Sequence, residues 1–203
     1  MSTGQYFERA PQARSKPSTV TLALADMTLT LATDRGVFAA GAVDAGTRLL
    51  LLEAPTPPAH GELLDLGCGY GPIACALARR APAATVWAVD LNERALALCA
   101  ANAETNAIPN VRTVTPDALP PTVGFDAIWS NPPIRIGKAA LHDLLTTWLA
   151  RLTPTGYALL VVQRHLGADS LAAWLRDEGR AVERVASRQS YRLLLVRAAG
   201  GAP

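Results

Sequence analysis

The stretch Leu64-Asp65-Leu66-Gly67-Cys68-Gly69-Tyr70-Gly71 joins a short apolar run to a segment with helical periodicity, and it decides the fold class. Gly67 and Gly69 allow backbone conformations that are closed to other residues, so the chain can come close to a ligand. The helix that follows offers N–H groups that have no partner inside the helix. The spacing G-x-G-x-G differs from the G-x-G-x-x-G of dinucleotide enzymes, and by itself it predicts some nucleotide or nucleoside cofactor. The alternative is a glycine turn that only closes a strand-to-helix connection.

Strand-like and helix-like patterns alternate from Gly61 onward, which predicts parallel strands with crossover helices. Predicted strands cover 62–66, 85–89, 110–115, 123–130, 156–162, 181–187 and 191–198, and predicted helices cover 71–81, 92–104, 137–151 and 167–178. The last two strands are close enough for a hairpin and must therefore be antiparallel. We predict an α/β, Rossmann-like, mostly parallel seven-stranded sheet with helices on both faces and the last strand antiparallel.

The residues before Gly61 show a different pattern. The runs 20–24 and 28–31 alternate with period two and predict a small hairpin, and Asp44 is the expected N-cap of a helix that ends near Glu53. Residues 1–18 are expected to be loosely ordered. We predict that residues 1–60 form an N-terminal extension packed on a core of residues 61–203, within one structural domain.

Composition excludes some classes of function. A formal net charge of +2 for 203 residues is too small to predict nucleic-acid binding from bulk electrostatics, so any RNA contact must come from a local patch. Cys68, Cys75 and Cys99 have no metal-ligand spacing; we expect reduced, buried thiols and no metal.

The N-terminus has no basic start followed by an apolar stretch, and every later apolar run is interrupted before membrane-spanning length. We therefore expect a cytoplasmic protein that does not enter the membrane.

Two acidic residues follow predicted strands on the side where the glycine turn lies. Asp90 ends Val86-Trp87-Ala88-Val89-Asp90, where a carboxylate can accept hydrogen bonds from both hydroxyls of a ribose. Asp117 ends the next strand, where it could receive the amino group of an adenine. Each alone is as compatible with a helix cap or a turn. Together they place carboxylates along the carboxyl edge of a parallel sheet, which is the usual ligand crevice of such folds.

Four motifs follow one another along the chain: Asp65 to Gly71, Val89-Asp90, Asp117-Ala118 and Asn131-Pro132-Pro133-Ile134. In this order and spacing they resemble the motifs of the class I S-adenosylmethionine-dependent methyltransferases. Within that class the chain resembles the small-domain type to which the ribosomal RNA guanine-N2 methyltransferases of the small subunit belong. The segments 33–38 and 44–51 are similar to the stretch that precedes the cofactor turn in that subfamily.

The resemblance implies an S-adenosylmethionine-dependent enzyme that methylates RNA during rRNA processing. Its partner would be ribosomal RNA or the small ribosomal subunit, and the oligomeric state is left open. The residues that the resemblance places at the cofactor are Asp65, Gly67, Cys68, Gly69, Gly71, Asp90, Leu91, Asp117, Ala118 and Asn131.

The resemblance also implies that Asn131, Pro132, Pro133 and Ile134 form the catalytic loop. An exocyclic amine shares its lone pair with the ring and is a poor nucleophile. If the side-chain oxygen of Asn131 and the main-chain carbonyl of Pro132 each accept one N–H, the lone pair turns toward the methyl donor. Adjacent prolines fix φ and remove N–H donors, so the loop presents carbonyls at low conformational cost. Asn-Pro-Pro is also an ordinary way to end a strand in a turn.

Ile134 departs from the pattern, because related enzymes usually place Phe or Tyr there to stack on the target base. Isoleucine has no π face, so stacking must come from elsewhere or be weaker. Phe38 is the leading substitute, followed by Trp129 and Tyr6; core or tail packing is the alternative for each.

Three polar residues are further candidates for substrate contact. Arg135 and Lys138 follow the catalytic loop and could meet phosphate, with solvated surface charge as the alternative. Gln163 stands at the carboxyl end of a predicted strand and could touch the substrate.

We predict methylation of the exocyclic N2 of a guanine in ribosomal RNA. Protein glutamine-N5 methylation is an alternative, because an amide nitrogen presents the same two N–H donors. Enzymes of that kind usually carry an N-terminal helical bundle, whereas the first sixty residues here predict a hairpin. The second alternative is a cofactor-binding domain without activity, since the guanine-N2 enzymes often pair a catalytic domain with a degenerate copy.

Overall fold

The computed structural model describes residues 14–39 and 41–197, and it contains a two-stranded hairpin and a seven-stranded sheet. The strands are β1 (Ser18–Ala23), β2 (Thr28–Thr33), β3 (Glu62–Leu66), β4 (Thr85–Val89), β5 (Val111–Val114), β6 (Phe125–Ser130), β7 (Leu152–Gln163), β8 (Val182–Arg188) and β9 (Tyr191–Arg197). The helices are α1 (Ala45–Glu53), α2 (Pro72–Arg80), α3 (Glu93–Thr105), α4 (Lys138–Leu149) and α5 (Ala168–Asp177).

The large sheet has the strand order β5-β4-β3-β6-β7-β9-β8. Its first five strands in this order are parallel, and β9 runs antiparallel to both β7 and β8. This confirms the predicted mostly parallel sheet with a reversed last strand. The reversed strand lies inside the sheet, and β8 forms the edge.

Both faces of the sheet are covered, as the apolar strand sequences require. Leu63 and Leu64 of β3 are both fully buried but belong to separate hydrophobic clusters, because successive side chains of a strand point to opposite faces. Helices α1, α2 and α3 pack on one face together with the hairpin, and α4 and α5 pack on the other. Fully burying a leucine side chain stabilises the fold by about 1.5–3 kcal/mol.

The N-terminal hairpin is attached to the core by side-chain amides as well as by apolar contact. Asn102 in α3 and Asn106 at its C-cap stand one turn apart, and their Oδ1 atoms accept from the backbone N–H groups of Ala32 at 2.7 Å and Thr30 at 3.1 Å. Their Nδ2 groups donate to the carbonyls of the same two β2 residues. The outer edge of β2 is therefore paired by one face of α3 in place of a third strand.

The structure extends some sequence predictions and corrects others. Strand β7 begins at Leu152, four residues before the predicted start, because Phe125 pairs with Leu152 before a register shift brings Ala127 opposite Tyr157. Gly156 permits this irregularity, since a Cβ there would lie 2.6 Å from the carbonyl oxygen of Phe125. Short 3₁₀ turns at Ile134–Ile136 and Arg164–Leu166 were not predicted. The expectation of loose order covers residues 1–18; residues 1–13 lie outside the described ranges, and Ser18 already belongs to β1.

The order in which strands join the sheet changes direction at β3. Strands β4 and β5 lie successively on one side of β3, and β6 lies on its other side. Ligands of open α/β sheets bind outside the carboxyl ends of the strands at such a switch point. The glycine turn follows β3 and the Asn-Pro-Pro sequence follows β6, so the topology brings them side by side.

Candidate functional site

A cleft of about 600 Å³ opens at this switch point. Backbone or side chains of Leu66, Gly67 and Gly69 after β3 line it, together with Val89, Asp90 and Leu91 at the end of β4. The Asn131–Arg135 loop, Gln163, Leu166 and Tyr191 line the other side. Val37, Phe38, Ala39 and Asp44, from the segment between β2 and α1, complete the mouth.

The three glycines of the turn have positive φ but different surroundings. A Cβ on Gly67 (φ +76°) or Gly69 (φ +54°) would meet nothing within 4 Å, so these two present bare backbone to open space. A Cβ on Gly71 (φ +88°) would lie 2.4 Å from Cys99 Sγ. Gly67 and Gly69 therefore leave room for a ligand, whereas Gly71 allows α3 to approach the turn.

Asp65 supports the turn from below. It is fully buried, and its Oδ2 accepts from the N–H of Ala74 at 2.8 Å in the first turn of α2. Its Oδ1 is buried without a hydrogen-bond partner among the described residues. Burial raises the pKa of Asp65 to about 8. A buried carboxyl with an unused oxygen beneath an open glycine turn fits a ligand that donates hydrogen bonds there.

Asp90 links the ends of β3 and β4. Its Oδ2 accepts from Gly69 N and its Oδ1 from Asn92 N, both at 2.9 Å. A carboxylate has about four acceptor sites, so Asp90 can hold the turn and still accept from a ribose hydroxyl. Burial raises the pKa of this carboxyl above its ordinary value.

Asn131 is held beside the turn by its neighbours. The hydroxyl of Ser130 donates to the carbonyl oxygen of Leu66 at 2.7 Å, which ties the end of β6 to the end of β3. The Nδ2 of Asn131 donates to Asp44 Oδ2 at 2.8 Å and to Thr47 Oγ1 at 3.1 Å. No described residue donates to its Oδ1, which remains the free acceptor of this side chain.

The two prolines shape the loop. Pro132 is buried, and Pro133 has φ −75° and ψ 70°. These angles form an inverse γ-turn, in which the N–H of Ile134 donates to the carbonyl oxygen of Pro132 at 2.8 Å. The Pro132 carbonyl, predicted to accept from the substrate, therefore retains one of its two lone pairs for that role.

Several predicted site residues do not line the cleft. Asp117 and Ala118 are exposed just beyond Pro116, which does line it, and Lys138 is exposed at the start of α4. Cys68 and Gly71 are buried within the turn. The ligand roles of all these residues stay predictions. Cys68, Cys75 and Cys99 are buried free thiols, as expected, and the described residues contain no group that could hold a metal ion.

Three aromatic residues were candidates to stack on the target base in place of the ring that Ile134 lacks. For Trp129 the alternative of core packing is confirmed, because its side chain is fully buried between the sheet and its covering helices and cannot stack on a base. Tyr6 lies outside the described residues. Phe38 is 49 % exposed and lines the cleft. Its segment is attached to the start of α3, where Asn92 Nδ2 donates to Gly36 O at 2.9 Å, so Phe38 lies near the Asp90 side.

Tyr191 is an aromatic residue of the cleft that sequence reasoning missed. It begins β9, directly opposite Gln163 on β7, and its ring lies against Gly46, where an added Cβ would come within 2.7 Å of it. Burial and the neighbouring Asp44 carboxylate raise the pKa of Tyr191. Its hydroxyl is therefore neutral near pH 7. A tyrosine at the start of a last strand has no local motif; only the β7–β9 pairing places it here.

The strand order divides the cleft into two halves with Asn131 between them. The ends of β3 and β4 supply glycine backbone and a carboxylate, which suit an amino acid and a ribose. The end of β7, the turn after it and the start of β9 supply Gln163, Leu166 and Tyr191, which suit a planar acceptor. The residues present thus fit a nucleoside-containing cofactor on one side of Asn131 and a separate substrate on the other.

Comparison with known proteins gives the family. Residues 28–195 match the family model of the methyltransferase small domain. YbxB of Bacillus subtilis (strain 168) is 34% identical over 192 residues, covering 93% of this chain and 96% of that protein. Ribosomal RNA small subunit methyltransferase C of Shewanella halifaxensis is 38% identical over 136 residues, 64% of this chain and 39% of that one.

A solved structure supports the same assignment. The T. thermophilus 16S rRNA N2 methyltransferase RsmC, in complex with AdoMet and guanosine, superposes with a TM-score of 0.76 at 25% identity. The match covers 92% of this chain but 52% of that one, so the chain spans about half the length of this relative. No helix among the described residues is long and apolar enough to cross a membrane. With the sheet order, the glycine turn and the Asn-Pro-Pro loop, these matches show that the chain belongs to the methyltransferase small domain family of class I, S-adenosylmethionine-dependent methyltransferases.

Proposed function

We propose that the protein methylates the exocyclic N2 of a guanine in ribosomal RNA. The observation that carries this proposal is the Asn131 side chain, whose amide nitrogen is engaged by Asp44 and Thr47 while its oxygen is left as an acceptor beside the glycine turn. An acceptor in this place suits a substrate that donates N–H hydrogen bonds. An exocyclic amine has two such donors, whereas a hydroxyl group has a single O–H donor.

The residues of the loop would act on the acceptor amine. Asn131 Oδ1 and the remaining lone pair of the Pro132 carbonyl accept its two hydrogens and turn its lone pair toward the cofactor half of the cleft. When bound, S-adenosylmethionine would supply the methyl group from its sulfonium, and the rest of the cofactor would leave as a neutral thioether. The amine gives up one proton to water after the transfer, so the mechanism requires no buried general base.

The choice of RNA rests on the relatives and on local charge. Relatives that match this chain over about two fifths of their length are named as small-subunit ribosomal RNA methyltransferases, and the related solved structure holds guanosine. Arg135 lines the cleft, and Lys138 and Arg164 are exposed after β6 and β7. All three cations follow the strands whose ends line the half of the cleft that we assign to the acceptor.

The test is Asn131→Ala, assayed with S-adenosylmethionine and an in vitro transcript of small-subunit ribosomal RNA. Losing an acceptor that acts in the transition state should lower kcat on the order of a hundredfold, with cofactor affinity by calorimetry nearly unaltered. Mass spectrometry of the digested RNA should find N2-methylguanine with the unchanged protein only.

Asn110→Ala is the matched control. Asn110 lies just before β5, away from the cleft, and its Nδ2 donates to the carbonyls of Ala78, Ala81 and Ala84. The variant should therefore lose stability and keep its turnover per folded molecule. Methyl transfer to a protein glutamine and not to RNA would replace the proposed substrate while leaving the role of Asn131 standing.

A further inference from the structure

The Asn131 amide has one functional orientation, and the neighbouring groups determine which it is. A side-chain amide carries two N–H donors on nitrogen and two acceptor sites on oxygen. Both donors of Asn131 are used, one by Asp44 Oδ2 at 2.8 Å and the other by Thr47 Oγ1 at 3.1 Å. With the nitrogen fully engaged, the oxygen is the atom that faces the cleft.

The identity of Asp44 makes this orientation unambiguous. A hydroxyl such as that of Thr47 can donate or accept, so it would tolerate either arrangement of the amide. An ionised carboxylate can only accept. If the amide turned over, its oxygen would face Asp44 Oδ2 and its NH₂ would point into the cleft, where it could not accept an N–H from an amine.

Asp44 is itself held in place. The same Oδ2 atom accepts from the N–H groups of Gly46 at 2.8 Å and Thr47 at 3.1 Å, where it caps α1. Thr47 is buried, and the ring of Tyr191 covers Gly46. The carboxylate therefore cannot swing away from Asn131 without uncapping the helix.

We propose that Asp44, assisted by Thr47, is a positioning residue that orients the Asn131 amide so that Oδ1 is presented to the acceptor nitrogen. The inference rests on the proposed N-methylation only for its catalytic consequence; the orientation itself is a property of the protein alone. It assigns α1, which follows the hairpin and precedes the glycine turn, a function in the chemistry of a loop after β6.

The first test separates positioning from helix capping. Serine caps helices about as well as aspartate, but its hydroxyl ends one bond closer to the backbone and cannot reach both α1 and Asn131. Asp44→Ser should keep the melting temperature and the affinity for S-adenosylmethionine while lowering kcat by about tenfold or more on the small-subunit RNA transcript. Asp44→Asn retains a cap and an acceptor oxygen at the original distance, and it should recover most of the lost turnover. Equal turnover of the Ser and Asn variants would overturn the proposal.

The second test asks whether Asp44 acts through Asn131. In an Asn131→Ala background there is no amide to orient, so Asp44→Ser should lower kcat no further. A loss that simply adds to that of Asn131→Ala would mean that Asp44 acts elsewhere. Thr47→Val should show the same dependence with a smaller effect, and Thr47→Ser is its control; this pair serves if Asp44→Ser impairs folding.

A third readout needs neither substrate nor cofactor. In ¹⁵N-labelled protein, the two amide hydrogens of Asn131, assigned by their absence in Asn131→Ala, should give separate and slowly exchanging NMR signals. Asp44→Ser should accelerate their exchange with solvent. Fast exchange in the unchanged protein would contradict the orientation, whereas slow exchange combined with no methylation of RNA would refute only the proposed substrate.

Discussion

Asp65 shows how a single buried group links the cofactor turn to the stability of the whole chain. Its carboxyl is fully buried between β3 and α2, and one of its oxygens has no partner among the described residues. Burial raises its pKa from 3.8 to about 8. Between these pH values the folded protein keeps a proton that the unfolded chain has released.

The free energy of unfolding should therefore fall as pH rises through this window and level off above pH 8, since the native state binds more protons than the unfolded state. Asp65→Asn has the same shape and no titration, so its stability should depend less steeply on pH between 5 and 8. Urea denaturation at a series of pH values measures the difference. Parallel curves for the two proteins would show that Asp65 is ionised in the folded state.

At the scale of the element, two glycines of the strand–turn–helix unit have different roles: Gly67 leaves room for the ligand, and Gly71 allows α3 to pack against the turn. Gly67 and Gly71 both have positive φ, so alanine at either position costs about 1–2 kcal/mol of backbone strain. Only Gly71→Ala also collides with Cys99, including its Cα at 3.2 Å. Gly71→Ala should thus lower the melting temperature more than Gly67→Ala. Gly67→Ala should instead weaken S-adenosylmethionine binding in calorimetry, and the reverse ranking would exchange the two roles.

The β7–β9 pair forms the wall of the acceptor half. If Tyr191 supplies the ring that Ile134 lacks, Tyr191→Leu should weaken binding of the RNA transcript by about 1–3 kcal/mol, while Tyr191→Phe should retain it. Ile134→Phe adds a ring and should tighten binding by up to ~1–3 kcal/mol, more so in the Tyr191→Leu background. Filter binding at low salt measures both. An unchanged affinity of Tyr191→Leu would leave Phe38 and Trp148 as the aromatic candidates among the lining residues.

At the scale of the whole molecule, charge is distributed unevenly along the carboxyl edge of the sheet. Asp90, Glu93 and Asp117 follow β4 and β5, whereas Arg135, Lys138 and Arg164 follow β6 and β7. The net charge of +2 hides this separation. Arg135, Lys138 and Arg164 offer an RNA cations at the acceptor end of this edge. At that end they repel a positively charged sulfonium cofactor less strongly than they would beside it.

Replacing Arg135 and Lys138 together with Ala should reduce the slope of log affinity for the RNA transcript against log salt by about one to two units, because each phosphate contact releases counterions. Affinity for S-adenosylmethionine should stay the same. Arg112→Ala, exposed on β5 at the opposite end of the sheet, is the control and should leave the slope unaltered. A slope that the double variant does not change would place the RNA elsewhere on the surface.

Features encoded by neighbouring residues were predictable from the sequence. The alternating elements, the reversed last strand, the Asp44 cap and the glycine turn each depend on patterns within a few residues, and the structure confirms them. The irregular start of β7 was missed because Pro154 and Gly156 resemble loop residues, and only the pairing with β6 makes them part of a strand. The sequence left Trp129 open between core and cleft, because an aromatic residue in an apolar strand has the same sequence pattern in either position; the structure places it in the core.

The sequence by itself determined the fold class, the cofactor turn and the Asn-Pro-Pro loop, because these follow from backbone preferences and short-range periodicity. Only the tertiary structure decided which groups hold Ser130 and Asn131 of this loop in place. Asp44 and Asn131 are separated by 87 positions and Ser130 and Leu66 by 64, yet each pair forms a hydrogen bond. Such pairs depend on the order in which strands join the sheet, and that order is set by packing of the two faces over the full length of the chain.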